Sequence, residues 1–384
     1  MKKLAIITTH PIQYNAPFFK LLTERGKVQL KVFYTWPQAI EGFDDPDFGR
    51  KVQWDIPLLE GYDWRTVDNI SKHPSSKSWK GINCPNLILK IEEFDPDAVM
   101  IYGWNFKSHF DAMRYFKGKR EVWFFGDSTL LDEKPGIKKM IRRIWLTLVY
   151  RYTDRAFYVG TNNKAYFKAH GFQDEQLAFF PHAIDNTRFK DDDEGKYKEK
   201  ARELRQKLGY QIGDFVVLYA GKFEPRKDLH FLIKSILNIN QQKQVPIHLL
   251  LAGDGPLFRE LFDLANGSPF IRFIPFQNQL DMPVIYRIGD IFCLPSQSET
   301  WGLSVNEAMA CGRPVLLNEK VGCAVDLVED NFNGRVFRNN SSHHLEMVIK
   351  ELAKSDLTKL GLNSSEKVEE FTFEKKCIAV ENSI

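Results

Sequence analysis

The chain has 384 residues, of which 43% are hydrophobic and 27% charged, with a formal net charge of +3. This composition is globular, the length suits about two domains, and the charge is too small for a dedicated nucleic-acid binder. The five cysteines follow neither a CxxC nor a zinc-ligand spacing, which favours a reduced cytoplasmic protein over a disulfide scaffold.

The first half of the chain predicts one α/β domain. A β-rich run at Leu4–Thr8 is followed by the helical segment APFFKLLTERG, which ends at Gly26, and by a second β-rich run from Val28. Strand, helix and strand in this order indicate a parallel unit. Further apolar runs of strand length are Asp97–Trp104, Glu121–Asp127 and Asp154–Gly160. The apolar run at the N-terminus is too short for a signal-peptide core, and no stretch reaches the length of a membrane-spanning helix.

A polar, charge-rich interval at Lys190–Asp214 predicts a domain boundary. Strands and helices then alternate again, with strands at Phe215–Gly221, Ile247–Gly253, IRFI, IFCLP and PVLL. This pattern predicts a second doubly wound sheet. We therefore expect an α/β protein of two Rossmann-like domains, 1–205 and 206–365, with a cleft between them and a C-terminal helix (366–384) that packs back on the first domain.

Ligands bind beyond the carboxyl ends of strands in such sheets, so the loops after strands carry the functional signals. The first βα turn, TTHPIQYNAP, lacks the GxGxxG pattern of a dinucleotide-dependent dehydrogenase. The turn AGKFEPRKD is not a P-loop, but it places Lys222 and Lys227 at the mouth of a predicted helix. Such a turn is either an anion site or a solvated basic surface.

The stretch Ser298–Val315 carries two carboxylates, Glu299 and Glu307, across a loop-to-helix junction. Gly302 and Leu303 would present free backbone N–H groups there. Carboxylates accept hydrogen bonds from vicinal hydroxyl groups, and without aligned His or Cys residues the pair fits a sugar better than a metal ion. The alternative is a solvated pair of acids, which the apolar neighbours of this helix disfavour.

Residues 215–340 resemble the nucleotide-sugar-binding half of GT-B glycosyltransferases, specifically the retaining enzymes of family 4 (group 1 type). The matching segments, in the family's order, are YAGKFEPRKD, LLLAGDGPL, FIPF, IFCLPSQSETWGLSVNEAMACGRPVL and VEDNFNGRVF. The resemblance implies that Lys227 binds phosphate, with Lys222 where the family usually has arginine. It also implies that Glu307 holds the ribose and Glu299 the donor sugar, that the backbone of Gly302, Leu303 and Ser304 meets the diphosphate or sugar, and that the loop around Phe276 flanks the base.

Two departures from that family lie in the first domain. The turn HPIQYNAP replaces a glycine-rich turn, and the loop FFGDST lacks the histidine that many members place near the anomeric carbon. Asp127 or His10 is the candidate to serve instead, and helix capping is the alternative role of Asp127. The candidate catalytic residues are thus Glu299, Lys227, Asp127 and His10.

The resemblance implies transfer of a sugar from a UDP- or GDP-sugar to a hydroxyl of a glycan or lipid-linked acceptor, in bacterial surface polysaccharide, lipopolysaccharide or glycolipid assembly. No DxD element stands at a strand end, so we expect neither a metal ion nor a cofactor. Alternatives are an inactive nucleotide-sugar-binding subunit or another GT-B enzyme, such as an epimerase. The basic, aromatic segment 134–152 is either a peripheral contact with the inner face of the cell membrane or an ordinary solvated helix.

Overall fold

The computed structural model describes residues 1–40, 43–45, 50–52, 54–191, 194–242 and 245–384. The predicted polar interval at 190–214 therefore includes two residues, 192 and 193, that lie outside the described part. The chain divides into two compact units. Unit 1 comprises Met1–Phe43, Ile56–His182 and Phe373–Ile384, and unit 2 comprises Asp44–Asp55 and Ala183–Thr372. The division falls earlier in the chain than the boundary that the polar interval predicts.

The strands are, in chain order, β1 (Lys2–Thr8), β2 (Val28–Tyr34), β3 (Phe43–Asp45), β4 (Arg50–Val52), β5 (Trp64–Thr66), β6 (Ala98–Tyr102), β7 (Glu121–Phe125), β8 (Arg155–Tyr158), β9 (Leu177–Phe179), β10 (Phe215–Ala220), β11 (Ile247–Ala252), β12 (Ile271–Ile274), β13 (Ile291–Leu294), β14 (Val315–Asn318) and β15 (Gly334–Phe337).

The α-helices are α1 (Ala16–Glu24), α2 (Leu87–Phe94), α3 (Lys107–Phe116), α4 (Ile137–Tyr150), α5 (Thr161–Ala169), α6 (Asn186–Phe189), α7 (Lys196–Lys207), α8 (Leu229–Gln241), α9 (Phe258–Ala265), α10 (Met282–Ile288), α11 (Leu303–Ala310), α12 (Ala324–Leu327), α13 (Ser342–Leu352), α14 (Leu357–Val368) and α15 (Phe373–Glu381).

Unit 1 contains a seven-stranded parallel sheet in the order β5-β2-β1-β6-β7-β8-β9. Its central strands are continuous apolar runs, because helices cover both faces of a parallel sheet. Every residue of β6 is buried, and Trp123 of β7 is fully enclosed. Burying each side chain of this size contributes about 1.5–3 kcal/mol. The order reverses direction at β1, which places the loops after β1 and β6 at a topological switch point.

Unit 2 contains a six-stranded parallel sheet in the order β12-β11-β10-β13-β14-β15. All residues of β10 and β11 are buried, and these two strands pair along their whole length. The switch point lies between β10 and β13, so the loops after these two strands meet at one edge of the sheet. The predicted fold class, two doubly wound parallel sheets, is confirmed.

Helix α15 packs within unit 1, although it follows the whole of unit 2 in the sequence. The guanidinium of Arg25 donates two hydrogen bonds to the carboxylate of Glu381, at 2.5 and 2.8 Å. These contacts lower the pKa of Glu381 to about 2. The Lys376 side chain is 1% exposed, and its Nζ lies 4.4 Å from the ring centroid of Phe180 and 4.8 Å from that of Phe18. Arg25, together with Lys27 at 3.0 Å, thus anchors the helix through Glu381, and the Lys376 ammonium lies buried among aromatic rings.

Of the helices in the described ranges, none combines the length and the hydropathy needed to cross a membrane.

Candidate functional site

The loop after β10 begins the candidate site in unit 2. Residues Pro225–Lys227 form one 3-10 turn, and Asp228 then adopts a left-handed conformation (φ 50°) before α8 begins. The loop packs directly on the glycine turn after β11, since a Cβ at Gly253 would lie 1.9 Å from the carbonyl oxygen of Gly221. Only glycine allows this approach at φ +149°. The two turns therefore support each other as one rigid base.

Lys222 lies near the start of that loop. The hydroxyl of Tyr219 donates a hydrogen bond of 2.7 Å to the carbonyl of Lys222. Burial, together with the carboxylates of Glu299 and Glu224, raises the pKa of Tyr219 well above its usual value. The hydroxyl thus stays protonated, and the backbone at Lys222 is held in place.

Lys227 and Glu299 form an ion pair between their Nζ and Oε2 atoms. The side chains are 13% and 11% exposed, so the pair is shielded from most of the solvent. A backbone hydrogen bond also joins the two loops that carry this pair: the backbone N–H of Gln297 donates to the carbonyl of Arg226 at 2.9 Å. The structure therefore brings together two residues that the sequence predicts for one site, from loops after neighbouring strands β10 and β13.

Helix α11 begins directly behind Glu299. Gly302 is its N-cap at φ 100°, and a Cβ there would lie 2.9 Å from Cδ2 of Leu294. The first amides of a helix have no partner within it, so Leu303 and Ser304 present N–H groups at this end. These groups and the positive end of the helix dipole attract an anion. The predicted backbone site thus has the required local geometry.

Glu307 lies inside α11 and is 3% exposed. Its Oε2 accepts a hydrogen bond of 2.7 Å from the hydroxyl of Tyr286 on α10. A carboxylate this deeply buried needs such partners, because leaving it bare in the interior would cost several kcal/mol. The alternative prediction of a solvated acid is therefore wrong for Glu307. Tyr286 is a site residue that sequence analysis did not find.

Phe276 lies in the loop after β12. Its ring centroid is 6.4 Å from that of Trp54, with an interplanar angle of 49°. Two aromatic rings at the same edge of the sheet offer a surface on which a planar base can stack. Trp54 had no signal in the sequence, because it is distant in the chain from the other elements of unit 2.

In unit 1, the candidates His10 and Asp127 follow β1 and β7, which β6 separates. The His10 ring meets Trp36 edge-on, with centroids 5.3 Å apart. Asp127 Oδ2 lies 3.5 Å from Nε2 of His182, which stands just after β9. Asp127 does not cap α4, whose N-cap is Gly136. The sequence held one signal for His182, namely its position in the PHAID segment directly after an apolar run.

Residues 200–371 match the model of a family described as "Glycosyl transferases group 1". An uncharacterized glycosyltransferase of Methanocaldococcus jannaschii is 28% identical over 182 residues, which cover 46% of this chain and 50% of that protein. An alpha-monoglucosyldiacylglycerol synthase of Acholeplasma laidlawii is 29% identical over 147 residues, which cover 37% of this chain and 36% of that protein. The aligned segments thus span half or less of these relatives' own length.

The crystal structure of Anabaena HepE in complex with UDP and glucose superimposes on the chain with a TM-score of 0.72 and 17% identity, covering 100% of this chain and 99% of that one. At this identity the likeness shows the fold, which is GT-B. The family match and the fold together support a GT-B glycosyltransferase. The segment that matches the family contains every residue of the unit 2 site that the sequence predicts, and Tyr286 as well, whereas Trp54 lies outside it.

Proposed function

We propose that the chain is a retaining glycosyltransferase of family 4, which moves a sugar from a nucleoside diphosphate sugar to an acceptor hydroxyl. The observation that carries the proposal is the Lys227–Glu299 ion pair at the carboxyl edge of the unit 2 sheet, next to the first amides of α11. A cation, two carboxylates and free N–H groups are the partners that a diphosphate, sugar hydroxyls and a ribose require.

Transfer builds negative charge on the departing diphosphate. Lys227 donates one hydrogen bond to Glu299 and has two further N–H groups for a phosphate oxygen. Lys222 and the N-terminus of α11 add positive potential without a metal ion. Glu299 both orients Lys227 and offers an acceptor for sugar hydroxyls. Glu307, held by Tyr286, accepts the ribose hydroxyls. Asp127, His182 and His10 in unit 1 are candidates for orienting the acceptor hydroxyl.

Calorimetry with UDP, GDP and their sugars tests the donor site. Glu307→Ala and Lys227→Ala should each weaken the best ligand by about ten- to a hundredfold, because each removes a charge-assisted hydrogen bond of about 1.5–3 kcal/mol. Matched controls are Glu369→Ala and Lys234→Ala, which change exposed residues of the same unit. Unchanged affinity in both site variants would refute the assignment. Nucleotide binding without sugar transfer to any acceptor would identify an inactive binding subunit instead.

Product analysis tests the remaining parts of the proposal. The anomeric configuration of the product, read by NMR, should equal that of the donor. Activity should survive dialysis against a chelator, since Lys222, Lys227 and the helix end take the role of a metal ion. A UDP-sugar is the first donor to test, because HepE was solved with UDP. An inverted product would contradict retention, and loss of activity on chelation would contradict metal independence.

We also propose a lipid-linked acceptor and peripheral contact with the membrane through α4. Six large apolar side chains on this helix are between 47% and 73% exposed: Ile137, Met140, Ile141, Ile144, Trp145 and Leu148. They recur once per helical turn, at 137, 140/141, 144/145 and 148, which puts them on one face. Lys138 and Arg142 are exposed beside that face and suit an anionic lipid surface. The similarity to an alpha-monoglucosyldiacylglycerol synthase supports the proposal of such an acceptor.

Vesicle flotation tests the contact. The protein should float with phosphatidylglycerol vesicles and not with pure phosphatidylcholine, and Ile141→Asp with Ile144→Asp should abolish flotation. Leu362→Asp is the matched control, because Leu362 is 68% exposed on α14 in unit 2. Flotation that survives the double substitution would exclude α4 as the membrane contact.

A further inference from the structure

A basic cavity lies in unit 2, apart from the residues of the candidate site. Its volume is about 670 Å³, and Lys198, Arg202, Arg205, Arg287 and Arg313 line it together with Glu194 and Glu199. We name it the arginine cavity. Five cations against two carboxylates give its lining a net positive charge. Its size falls in the range of about 300–1,000 Å³ that is usual for small-molecule sites.

The arginine cavity lies at the opposite edge of the sheet from the candidate site. Arg313 stands just before β14, and Ile288 of α10, which precedes β13, accepts a hydrogen bond from Arg205 at 2.9 Å. Lys222 and Glu299, in contrast, follow their strands. In a parallel sheet the amino and carboxyl ends of strands are at opposite edges. A ligand in this cavity is therefore distinct from the nucleotide sugar.

Three of the arginines have carboxylate partners. Arg205 lies 3.1 Å from Asp290, Arg287 lies 3.6 Å from Asp191, and Arg202 lies 3.0 Å from Glu199. The Arg287 side chain is only 6% exposed, and it also donates to the carbonyls of Pro283 and Phe189 at 2.8 Å. The contacts of the two enclosed arginines, Arg205 and Arg287, hold their guanidinium groups in place, which lowers the entropic cost of binding a ligand.

Arg313 differs from the other three. Its Nε and one terminal nitrogen donate to the backbone carbonyls of Cys311 (3.2 Å) and Gly289 (3.1 Å). Within the described part of the chain, no carboxylate oxygen lies within 4.0 Å of its guanidinium. Burial, and the like charges of Arg287 and Arg205, lower its pKa. The remaining N–H groups of Arg313 thus belong to a partly buried cation that has no carboxylate in direct contact among the described residues.

We propose that the arginine cavity binds a small polyanion that carries phosphate groups. Guanidinium groups match phosphate oxygens in a planar, two-bond geometry, and several of them converge here on one cavity. A bound phosphate would compensate the charge of Arg313. A metal cation would be repelled, and a neutral sugar would leave the positive charge unpaired. The phosphate belongs either to a soluble metabolite or to the headgroup of an anionic lipid.

Calorimetry with pyrophosphate tests the proposal. The protein used carries Lys222→Gln and Lys227→Gln, which block the candidate donor site. This protein should still bind pyrophosphate at one site, and adding Arg313→Gln should weaken that binding at least tenfold. Because Arg313 is partly buried, its substitution can also affect folding. A second variant therefore combines Lys198→Gln and Arg202→Gln, both at exposed positions, and should also weaken pyrophosphate binding. Arg259→Gln is the control, since Arg259 is 86% exposed on α9.

A parallel measurement with phosphatidic acid vesicles separates the two sources of phosphate. If Arg313→Gln reduces vesicle binding while pyrophosphate does not bind at all, the ligand is a lipid headgroup. If pyrophosphate binding depends on Arg313 and vesicle binding does not, the ligand is soluble; if both depend on Arg313, the cavity accepts phosphate from either source. The proposal is overturned if the donor-blocked protein binds neither probe, or if both cavity variants bind both probes as well as the Arg259 control.

Discussion

Replacing Lys376 with methionine should stabilise the protein at pH 7 and lose most of that effect at pH 10. The Lys376 ammonium is buried in unit 1, and its burial lowers the pKa of this group from its ordinary value of 10.5 to about 7. Between pH 7 and pH 10.5, the Lys376 side chain carries a proton in the unfolded chain and has lost it in the folded chain. The free energy of unfolding of the parent therefore rises with pH in this window, and the penalty is complete below about pH 7.

The size of the effect follows from that shift. A displacement from 10.5 to about 7 corresponds to a penalty of about 4 kcal/mol at pH 7 and of about 1 kcal/mol at pH 10. The rings of Phe180 and Phe18 favour the charged form and offset this penalty by about 0.5–2 kcal/mol each. Methionine has a similar volume and packs well against aromatic rings. Subtracting the two offsets leaves an expected gain for Lys376→Met of up to about 3 kcal/mol at pH 7.

Urea unfolding of the parent and the variant at pH 7 and pH 10 measures the difference. All other titratable groups contribute equally to the free energy of unfolding of both proteins. A pH-dependent difference between the two unfolding free energies is therefore due to Lys376. The control is Lys375→Met, which removes the same charge from an exposed position of the same helix and should leave the pH dependence unchanged. A variant that is less stable than the parent at pH 7 would refute the reasoning, as would an equal gain at both pH values.

Three further predictions concern single side chains. Tyr286→Phe removes the hydrogen bond to Glu307 and should weaken nucleotide binding in calorimetry by about tenfold, at about 1.5 kcal/mol; an unchanged affinity would contradict it. His109 is buried, which lowers its pKa to about 4. Because the unfolded chain binds a proton here that the folded chain does not, the free energy of unfolding in urea titrations should fall by about 2 kcal/mol from pH 7 to pH 5. His109→Gln should reduce this dependence on pH. Gly302→Ala places a Cβ 2.9 Å from Leu294 and should cost about 1–3 kcal/mol in thermal unfolding.

The sheets could be predicted from the sequence because their strands are long apolar runs next to short turns. The predicted strand at Phe215–Gly221 agrees with β10 to within one residue, and the predicted loop-to-helix junction after Glu299 agrees with the start of α11 at Leu303. Strands β5 and β9 were not predicted, since three residues at the edge of a sheet carry almost no periodic signal. Short edge strands are defined by pairing with a neighbour, which the local sequence does not encode.

The positions of most candidate residues in unit 2 were predictable, because they lie in loops that follow strands or at the start of the next helix. The contacts between those residues were not. No spacing in the sequence indicates that Lys227 and Glu299 form an ion pair or that Tyr286 contacts Glu307. The arginine cavity was likewise invisible, since its members come from α7, α10 and the turn before β14. Such clusters arise only when separate elements pack together.

The position of α15 has a consequence for synthesis on the ribosome. Phe373–Ile384 supplies Lys376, which packs on the rings of Phe18 and Phe180 in unit 1, yet Ala183–Thr372, the larger part of unit 2, is made before that segment. At about 5–20 residues per second, that interval lasts roughly 10–40 s. During this time the nascent first unit exposes an apolar surface, while Ala183–Thr372 can already complete its own sheet. We therefore expect unit 1 to be completed only after Phe373–Ile384 is made, later than the sheet of unit 2.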